Sequence, residues 1–184
     1  MHNRKSIRFP DYDYSLSGEY FITICVKDRL CLLGEIINGE VVLSDNGRIV
    51  HEWINRLTAR FPVKLEHFVI MPNHLHLIIE IQNYFDDAEA ETMLSSETDF
   101  RMKDKDFERW RIGRKNMLLP KVINYLKSNS AREINKKNDT SEQSFWQRNY
   151  FERIIRNQKE YENIVEYIMN NPSNWENDEE NIFT

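Results

Sequence analysis

The chain has 184 residues, of which 40% are hydrophobic and 12% aromatic; this length and composition predict one folded domain and exclude an intrinsically disordered chain. The formal net charge of −5 argues against a protein that coats nucleic acid through bulk electrostatics. No apolar run reaches the ~18 residues of a membrane span, and the first residues lack the apolar stretch of a signal peptide, so we expect no membrane contact and a cytoplasmic location.

The first third of the chain predicts strands followed by a helix. The segment EYFITICV, at 19–26, is apolar on both alternating faces, as in a central strand that is covered on each side. Two further strands, LCLLGEII and EVVL, meet at Asn38-Gly39, a strong signal for a two-residue hairpin. Ser44 or Asp45 begins a helix that extends to about Arg60, because apolar residues recur at helical spacing through this stretch.

The next two strands, at 63–71 and 74–81, are joined by Pro72-Asn73. Alternate side chains of a strand point to opposite faces, so His74 and His76 share one face while the leucines between and after them belong to the core. The two imidazoles lie about 7 Å apart at the backbone and can converge on one cation. Histidines on apolar strands are more often buried, hydrogen-bonded core residues than metal ligands, so the spacing of the pair does not establish a metal site.

Residues 82–116 show neither the helical nor the strand periodicity of apolar residues, and we interpret them as a polar insert that forms a flexible loop. Between 101 and 137 there are 12 Lys and Arg against 4 Asp and Glu, a local excess of +8. This excess fits either a solvated helix face or a contact with nucleic acid. A helix is predicted from about Pro120 to Lys136.

A last helix begins at Asn157, where Glu160 completes a capping pattern, and ends before Asn171-Pro172. Its buried stripe includes Tyr161, whereas Tyr167 lies at the edge of the stripe and Asn171 lies one turn further on the same side. Taken alone, Tyr167 fits a packed edge residue and Asn171 fits a helix C-cap. Residues 176–184 form an acidic tail, which we expect to fray beyond a docked Trp175.

The predicted order is strand, hairpin, helix, two strands, helix, helix. This order predicts an α+β fold in which helices gather on one face of an antiparallel sheet. The whole chain is expected to form a single domain, residues 1–184.

Two segments of the sequence together resemble the single-tyrosine HUH transposases (HUH means His, hydrophobic, His), and within them the REP-associated tyrosine transposases. One is VIMPNHLHLIIEI, at 69–81, whose HUH motif is His74-Leu75-His76, and the other is the block 145–175, which contains EYIMNNP. The segment 4–44 agrees as well, so the resemblance covers most of the chain outside the insert. The HUH tripeptide is weakly specific by itself, but its pairing with EYIMNNP in this order is specific.

The resemblance implies a ferredoxin-like antiparallel sheet with the HUH motif on a central strand and the tyrosine helix lying across it. It implies that His74, His76 and Asn171 bind Mg²⁺ or Mn²⁺ and that Tyr167 is the nucleophile. The implied reaction is cleavage and rejoining of single-stranded DNA through a covalent 5′-phosphotyrosine intermediate, which would make the protein a DNA transposase and nuclease.

The implied partner is single-stranded DNA with hairpins, of the kind formed by repetitive extragenic palindromes (REPs), bound by a monomer or a homodimer. Basic residues in and after the basic region are candidate DNA contacts, and they are Arg114, Lys115, Lys121, Lys127, Arg148, Arg153 and Arg156. The acidic part of the insert is where the chain departs from the family, and it could compete with phosphate or act as a lid.

Two other functions remain open from the sequence. A domesticated hairpin-binding protein would keep the fold without turnover, although a pure binder would have no physical need for all four of His74, His76, Tyr167 and Asn171. A metal hydrolase of small phosphodiesters would turn over small esters and form no covalent adduct with DNA.

Overall fold

The computed structural model describes residues 18–81, 118–140 and 143–181. Its strands are β1 (Gly18–Cys25), β2 (Gly34–Ile37), β3 (Glu40–Leu43), β4 (Val63–Ile70), β5 (His74–Ile81) and β6 (Phe151–Ile155). Its α-helices are α1 (Asp45–Asn55), α2 (Leu57–Arg60), α3 (Leu118–Lys137) and α4 (Gln158–Asn170). In the parts of the chain described, no helix is long and apolar enough to cross a membrane.

Four strands form the main sheet, in the order β4-β5-β1-β6, and every neighbouring pair is antiparallel. The connection from β1 through α1 to β4 leaves β5 between the two strands, and the connection from β5 through α3 to β6 leaves β1 between them. This pair of split βαβ units is the ferredoxin-like arrangement. The predicted fold class is therefore confirmed, with the two histidines on a central strand.

The two faces of the sheet carry separate apolar clusters. Leu75 and Leu77 belong to the larger cluster, which also contains the apolar faces of α1 and α3. Ile78, on the histidine face, packs instead with Ile164 and Ile168 of α4. The prediction that all helices lie on one face thus holds for the two crossover helices but not for α4. Because β5 is apolar on both faces, the sheet needs a helix on each side.

Strands β2 and β3 pair only with each other within the described residues. Their turn places Asn38 at φ 53° and Gly39 at φ 79°, the left-handed pair that a type I′ hairpin requires. The predicted hairpin is confirmed, but it forms a separate two-stranded sheet. Directly after it, Ser44 caps α1, its hydroxyl accepting from the Gly47 N–H at 3.1 Å.

The predicted order of elements lacks strand β6. It pairs antiparallel with β1, with Phe151 opposite Thr23 and Ile155 opposite Glu19. The five residues FERII alternate between exposed and covered positions but include two charged side chains, so the sequence pattern alone is weak. Its hydrogen-bonding partner lies about 130 residues earlier in the chain, where no local signal indicates it.

Candidate metal and nucleophile site

The two histidines lie at the N-terminal end of β5, where the neighbouring strand β1 supplies a polar residue. In the register of these strands His76 lies opposite Thr23 and His74 opposite Cys25. Both imidazoles are buried, with exposed fractions of 0% for His74 and 2% for His76. Their Nε2 atoms lie 3.0 Å apart. The β alternation that predicted a shared face therefore produces convergence of the two rings on one point.

A chain of hydrogen bonds fixes the orientation of His74. The side-chain amide Nδ2 of Asn73 donates to the backbone carbonyl of Glu180 at 2.7 Å, which turns the amide oxygen toward His74. That oxygen can only accept, so His74 Nδ1, at 2.8 Å, carries the proton and donates. The Nε2 atom of a neutral His74 consequently carries no proton, and its lone pair points into the site.

Thr23 plays the corresponding part for His76, with its hydroxyl Oγ1 2.8 Å from Nδ1. Without a cation, the short contact between the two Nε2 atoms requires a proton on one of them, and His74 Nε2 has none. His76 then carries its proton on Nε2 and accepts from Thr23. If both Nε2 lone pairs were directed at a cation, His76 would instead carry its proton on Nδ1 and donate to Thr23. The Thr23 hydroxyl can fill either role, because a hydroxyl both donates and accepts.

Burial keeps both histidines neutral. Desolvation, followed by the nearby Arg29 cation, lowers the pKa of His74 to about 3. Desolvation, followed by the neighbouring His74, lowers the pKa of His76 to about 3. Neutral imidazole is the form that binds metals, so neither ring needs to lose a proton at physiological pH.

The donor set fits a divalent cation. Two ligands in adjacent positions of an octahedron at about 2.1 Å from the ion lie about 3.0 Å apart, which matches the separation of the two Nε2 atoms. The third predicted ligand, Asn171, is 2% exposed, and within the described residues its Oδ1 atom is buried without a hydrogen-bond partner. An orphaned buried oxygen next to two neutral nitrogens is an arrangement that a cation would satisfy.

Asp178 adds a carboxylate that the sequence did not predict. One ligand atom from each of His74, His76 and Asp178 can be chosen so that all three lie within 4.8 Å of one another. The Asn171 amide Nδ2 donates to Asp178 Oδ2 at 2.7 Å. This bond points the nitrogen of the amide at Asp178 and leaves the oxygen as its free ligand atom. Asp178 can therefore act as a ligand itself or as the residue that orients Asn171.

Tyr167 reaches the same point from α4. Its hydroxyl lies 3.2 Å from His76 Nε2, and its ring meets those of His76 and Phe21 edge to face. The side chain is still 45% exposed, so the hydroxyl is accessible from outside. Desolvation, followed by the charge of Asp178, raises the pKa of Tyr167 to about 12. The phenolate is thus disfavoured until positive charge enters the site.

The acidic tail is ordered where it meets the site, which corrects the expectation that it frays beyond Trp175. Glu180 forms an ion pair with Arg29 and accepts from Asn73 through its carbonyl. The Trp175 ring lies 6.1 Å from the His74 ring, in agreement with the predicted docking. Residues 176–181 are held by bonds to Asn73, Arg29 and Asn171, which lie outside the strands; residues 182–184 lie outside the described part.

Comparison with known proteins gives the family. A family profile described as "Transposase IS200 like" matches residues 112–171, which include both Tyr167 and Asn171. A Haemophilus influenzae protein described as uncharacterized is 37% identical over 180 residues, which are 97% of this chain and 93% of the relative. The chain belongs to the IS200-like transposase family. The resemblance to this family is thereby confirmed; the profile covers the tyrosine segment, whereas the HUH segment lies outside the matched residues.

Two further matches carry a REP-associated name. A second Haemophilus influenzae protein, named as a REP-associated tyrosine transposase, is 26% identical over 168 residues, covering 87% of this chain and 73% of the relative. A solved structure of a REP-associated tyrosine transposase bound to a REP hairpin is 19% identical, with a TM-score of 0.53 over 91% of this chain and 73% of the other. At that identity the structural likeness shows the fold.

The predicted DNA contacts of the transposase lie in different environments. Lys121 is exposed on α3, whereas Lys127 donates to three backbone carbonyls, those of residues 147–149. Desolvation lowers the pKa of Lys127 to about 8. Arg148, Arg153 and Arg156 are exposed in and around β6, and Arg153 pairs with Glu160 at 2.5 Å. Arg114, Lys115 and the insert 82–116 lie outside the described residues.

Three residues of the candidate site were not found from the sequence. Thr23 is the one polar side chain within FITIC, and Asn73 precedes the HUH motif directly; both positions carry a local signal, a polar residue beside a motif in a buried segment. Asp178 carries no such signal because it lies among several acidic residues of the tail. Only the folded chain distinguishes it from its neighbours.

Proposed function

We propose that the transposase cleaves and rejoins single-stranded, hairpin-bearing DNA through a covalent 5′-phosphotyrosine on Tyr167, with Mg²⁺ or Mn²⁺ held by His74, His76 and Asn171. One observation carries the proposal: the Tyr167 hydroxyl lies 3.2 Å from His76 Nε2, which itself lies 3.0 Å from His74 Nε2. A nucleophile and two converging metal-ligand nitrogens are thus assembled in one chain. We place the reaction in the cytoplasm, and in a monomer this site would act without a partner's tyrosine.

A divalent cation bound there would polarise the scissile phosphate and stabilise the negative charge that develops on it. The residues of the chain prepare for this. Asn73 and Thr23 hold the imidazoles with their Nε2 atoms toward the site. Asp178 holds the Asn171 amide with its oxygen free. Phe21 stacks on His76 at 5.1 Å and meets Tyr167 edge to face, which limits the movement of both rings.

The chemical step exchanges one ester for another. The Tyr167 hydroxyl oxygen attacks the phosphorus, its proton is released, and the bond between phosphorus and the 3′ oxygen breaks. The departing 3′ oxygen takes up a proton and becomes a free 3′-hydroxyl, while the strand on the 3′ side of the break remains attached to Tyr167 through its 5′-phosphate. Because the phosphodiester count is unchanged, attack by another 3′-hydroxyl can reverse the step without ATP.

The relative solved with a REP hairpin supports hairpin DNA as the partner. Strand β6 supports a path for that DNA beside the site. Phe151 lies opposite Thr23 in the sheet and is 45% exposed, so its ring is available for stacking with a base. Arg153 is two residues further on the same face of β6; it pairs with Glu160, and a phosphate would compete with that carboxylate for the guanidinium.

The test uses the full chain, Mn²⁺ and a fluorescent hairpin-bearing single strand, with detection of a protein-DNA adduct on a denaturing gel. Tyr167→Phe is expected to abolish the adduct. Tyr161→Phe is the matched control, because Tyr161 is on the same helix but donates to Glu66, away from the histidines. EDTA is also expected to abolish the adduct, since the histidines alone supply no positive charge.

The outcomes separate the alternatives. An adduct that survives Tyr167→Phe would show that another residue is the nucleophile. Hairpin binding without an adduct from the wild-type chain would favour a non-catalytic hairpin-binding protein. Turnover of small phosphodiesters without an adduct would favour a hydrolase.

A further inference from the structure

A cleft of about 660 Å³ opens beside Tyr167. Its walls are the outer face of the last two turns of α4 and the segment that follows the helix. Besides Tyr167, Asn171 and Asp178, it is lined by Asn163, Asn170, Asn174, Asn177, Glu166 and Glu179. Its volume falls in the range of pockets that hold small organic ligands.

The lining excludes phosphate as the ligand of this cleft. It contains the three carboxylates Glu166, Asp178 and Glu179 and neither lysine nor arginine among the described residues. A phosphate placed there would meet negative charge without compensation, except beside a cation held by His74 and His76. The DNA component that fits such a cleft is an uncharged nucleobase.

The polar groups of the cleft are those that recognise base edges. The four asparagines Asn163, Asn170, Asn174 and Asn177 are exposed. The hydrogen bonds recorded for Asn170, Asn174 and Asn177 engage their backbone atoms, so their amides are available to a ligand. An amide offers a donor and an acceptor together, as in bidentate pairing with adenine, and a carboxylate accepts from an exocyclic amino group such as that of cytosine.

We infer that this cleft binds the nucleobase next to the scissile phosphate and prefers a base with an exocyclic amino group, namely adenine, cytosine or guanine, over thymine. The inference rests on the proposed strand cleavage, which brings a phosphate to Tyr167 and thereby the adjoining base to the cleft. Thymine carries one N–H donor and two carbonyl oxygens, and those oxygens would face the carboxylates of Glu166 and Glu179. The preference is thus assigned to Glu166 and Glu179, which line the cleft but are not among the proposed metal ligands.

The test uses a pool of hairpin-bearing single strands with a randomised flank, cleaved by the full chain with Mn²⁺. Sequencing of the adducts and of the free 3′-hydroxyl products gives the bases on either side of the break. We expect thymine to be disfavoured about tenfold on one side. Glu166→Ala and Asn170→Ala should each reduce this ratio to within about twofold of unity.

The control variant is Glu162→Ala, one turn earlier on the same exposed helix and outside the cleft lining. It removes the same charge and should keep the tenfold preference. A ratio between bases is measured within one protein sample, so a general change in rate or in folded fraction does not alter it. Absence of a base preference beside the break, or its persistence in both cleft variants, would overturn the inference.

A binding measurement keeps the inference separate from the proposed function. Tyr167→Phe is titrated with single strands that differ only at the flanking base, with fluorescence anisotropy as the readout. If wild type forms no adduct but binding is base-dependent and Glu166→Ala removes that dependence, strand cleavage is wrong and the base site stands. If the adduct forms and binding and cleavage are both independent of the base, the base site is wrong and strand cleavage stands.

Discussion

At the scale of single residues, the proposed metal site would depend on partners that do not themselves bind the cation. Thr23 is 5% exposed and contacts His76 through its hydroxyl. Such partners fix the tautomer and orientation of a ligand histidine, and their loss typically lowers metal affinity 10- to 100-fold. The spacing of His74 and His76 left both a metal site and a core open, and the family resemblance implied the metal site. Thr23 stands out in the sequence only as a polar residue in a buried segment, because its role depends on the register of two strands.

We therefore expect Thr23→Val, which replaces the hydroxyl by a methyl group of similar size, to weaken Mn²⁺ binding about 10- to 100-fold in isothermal titration calorimetry. Thr23→Ser keeps the hydroxyl and should bind Mn²⁺ within a few-fold of wild type. Equal affinities of the valine variant and wild type would show that Thr23 has no part in orienting His76.

A second prediction at this scale concerns Asp178, whose carboxylate accepts from Asn171 at 2.7 Å. Asp178→Ala removes a potential ligand and releases the Asn171 amide, so we expect Mn²⁺ affinity to fall at least tenfold in the same titration. Glu179→Ala is the matched control, because it removes an adjacent carboxylate that does not belong to the His74, His76 and Asp178 cluster. An equal effect of the two variants would mean that only the general charge of the tail matters.

At the scale of elements, the sequence predicted what repeats locally and missed what depends on distant partners. β1, β4, β5 and the helices follow from periodicity, capping residues and the Asn38-Gly39 turn. β6 and the ordered part of the tail do not, because β6 is completed by β1 and the tail by Asn73 and Arg29. Such pairings are set by the fold as a whole, which no window of the sequence contains.

Helix α1 gives a prediction with an unusual sign. Gly to Ala inside a helix normally stabilises it by about 1 kcal/mol. At Gly47, however, an added methyl group would collide with the backbone carbonyl oxygen of Leu33. Both atoms are fixed to the backbone, so neither can rotate away. We expect Gly47→Ala to destabilise the protein by about 1–3 kcal/mol, seen as a lower melting temperature.

The neighbouring exposed Arg48→Ala serves as the control in this experiment, with an expected change below about 1 kcal/mol. A Gly47→Ala variant as stable as wild type would show that Leu33, directly before β2, does not pack against α1 as closely as described.

At the scale of the whole molecule, the two buried histidines couple the stability of the fold to pH. Their folded pKa values of about 3 lie below the ordinary value of 6.5. Between these values the unfolded chain binds more protons than the folded one. The contribution of the two histidines to the free energy of unfolding is therefore complete above pH 6.5 and decreases as the pH falls toward 3. From pH 7 to pH 5.5, without metal, we expect the two histidines to lower the free energy of unfolding by about 2 kcal/mol.

Urea unfolding in EDTA at the two pH values measures this loss. His51→Gln, which removes an exposed histidine on α1, should show the same loss as wild type. An unfolding free energy that does not change between the two pH values would contradict burial of His74 and His76 in their neutral form.

The most direct test of the central claim is peptide mapping of the covalent DNA adduct by mass spectrometry. Wild-type protein is incubated with Mn²⁺ and a hairpin-bearing single strand, the DNA is digested to one nucleotide, and the modified peptide is sequenced. We predict a 5′-phosphate ester on Tyr167, in the peptide that also contains Asn171. A modified Tyr161 or another residue, or the absence of any modified peptide when the strand is cut, would contradict a phosphotyrosine mechanism at this site.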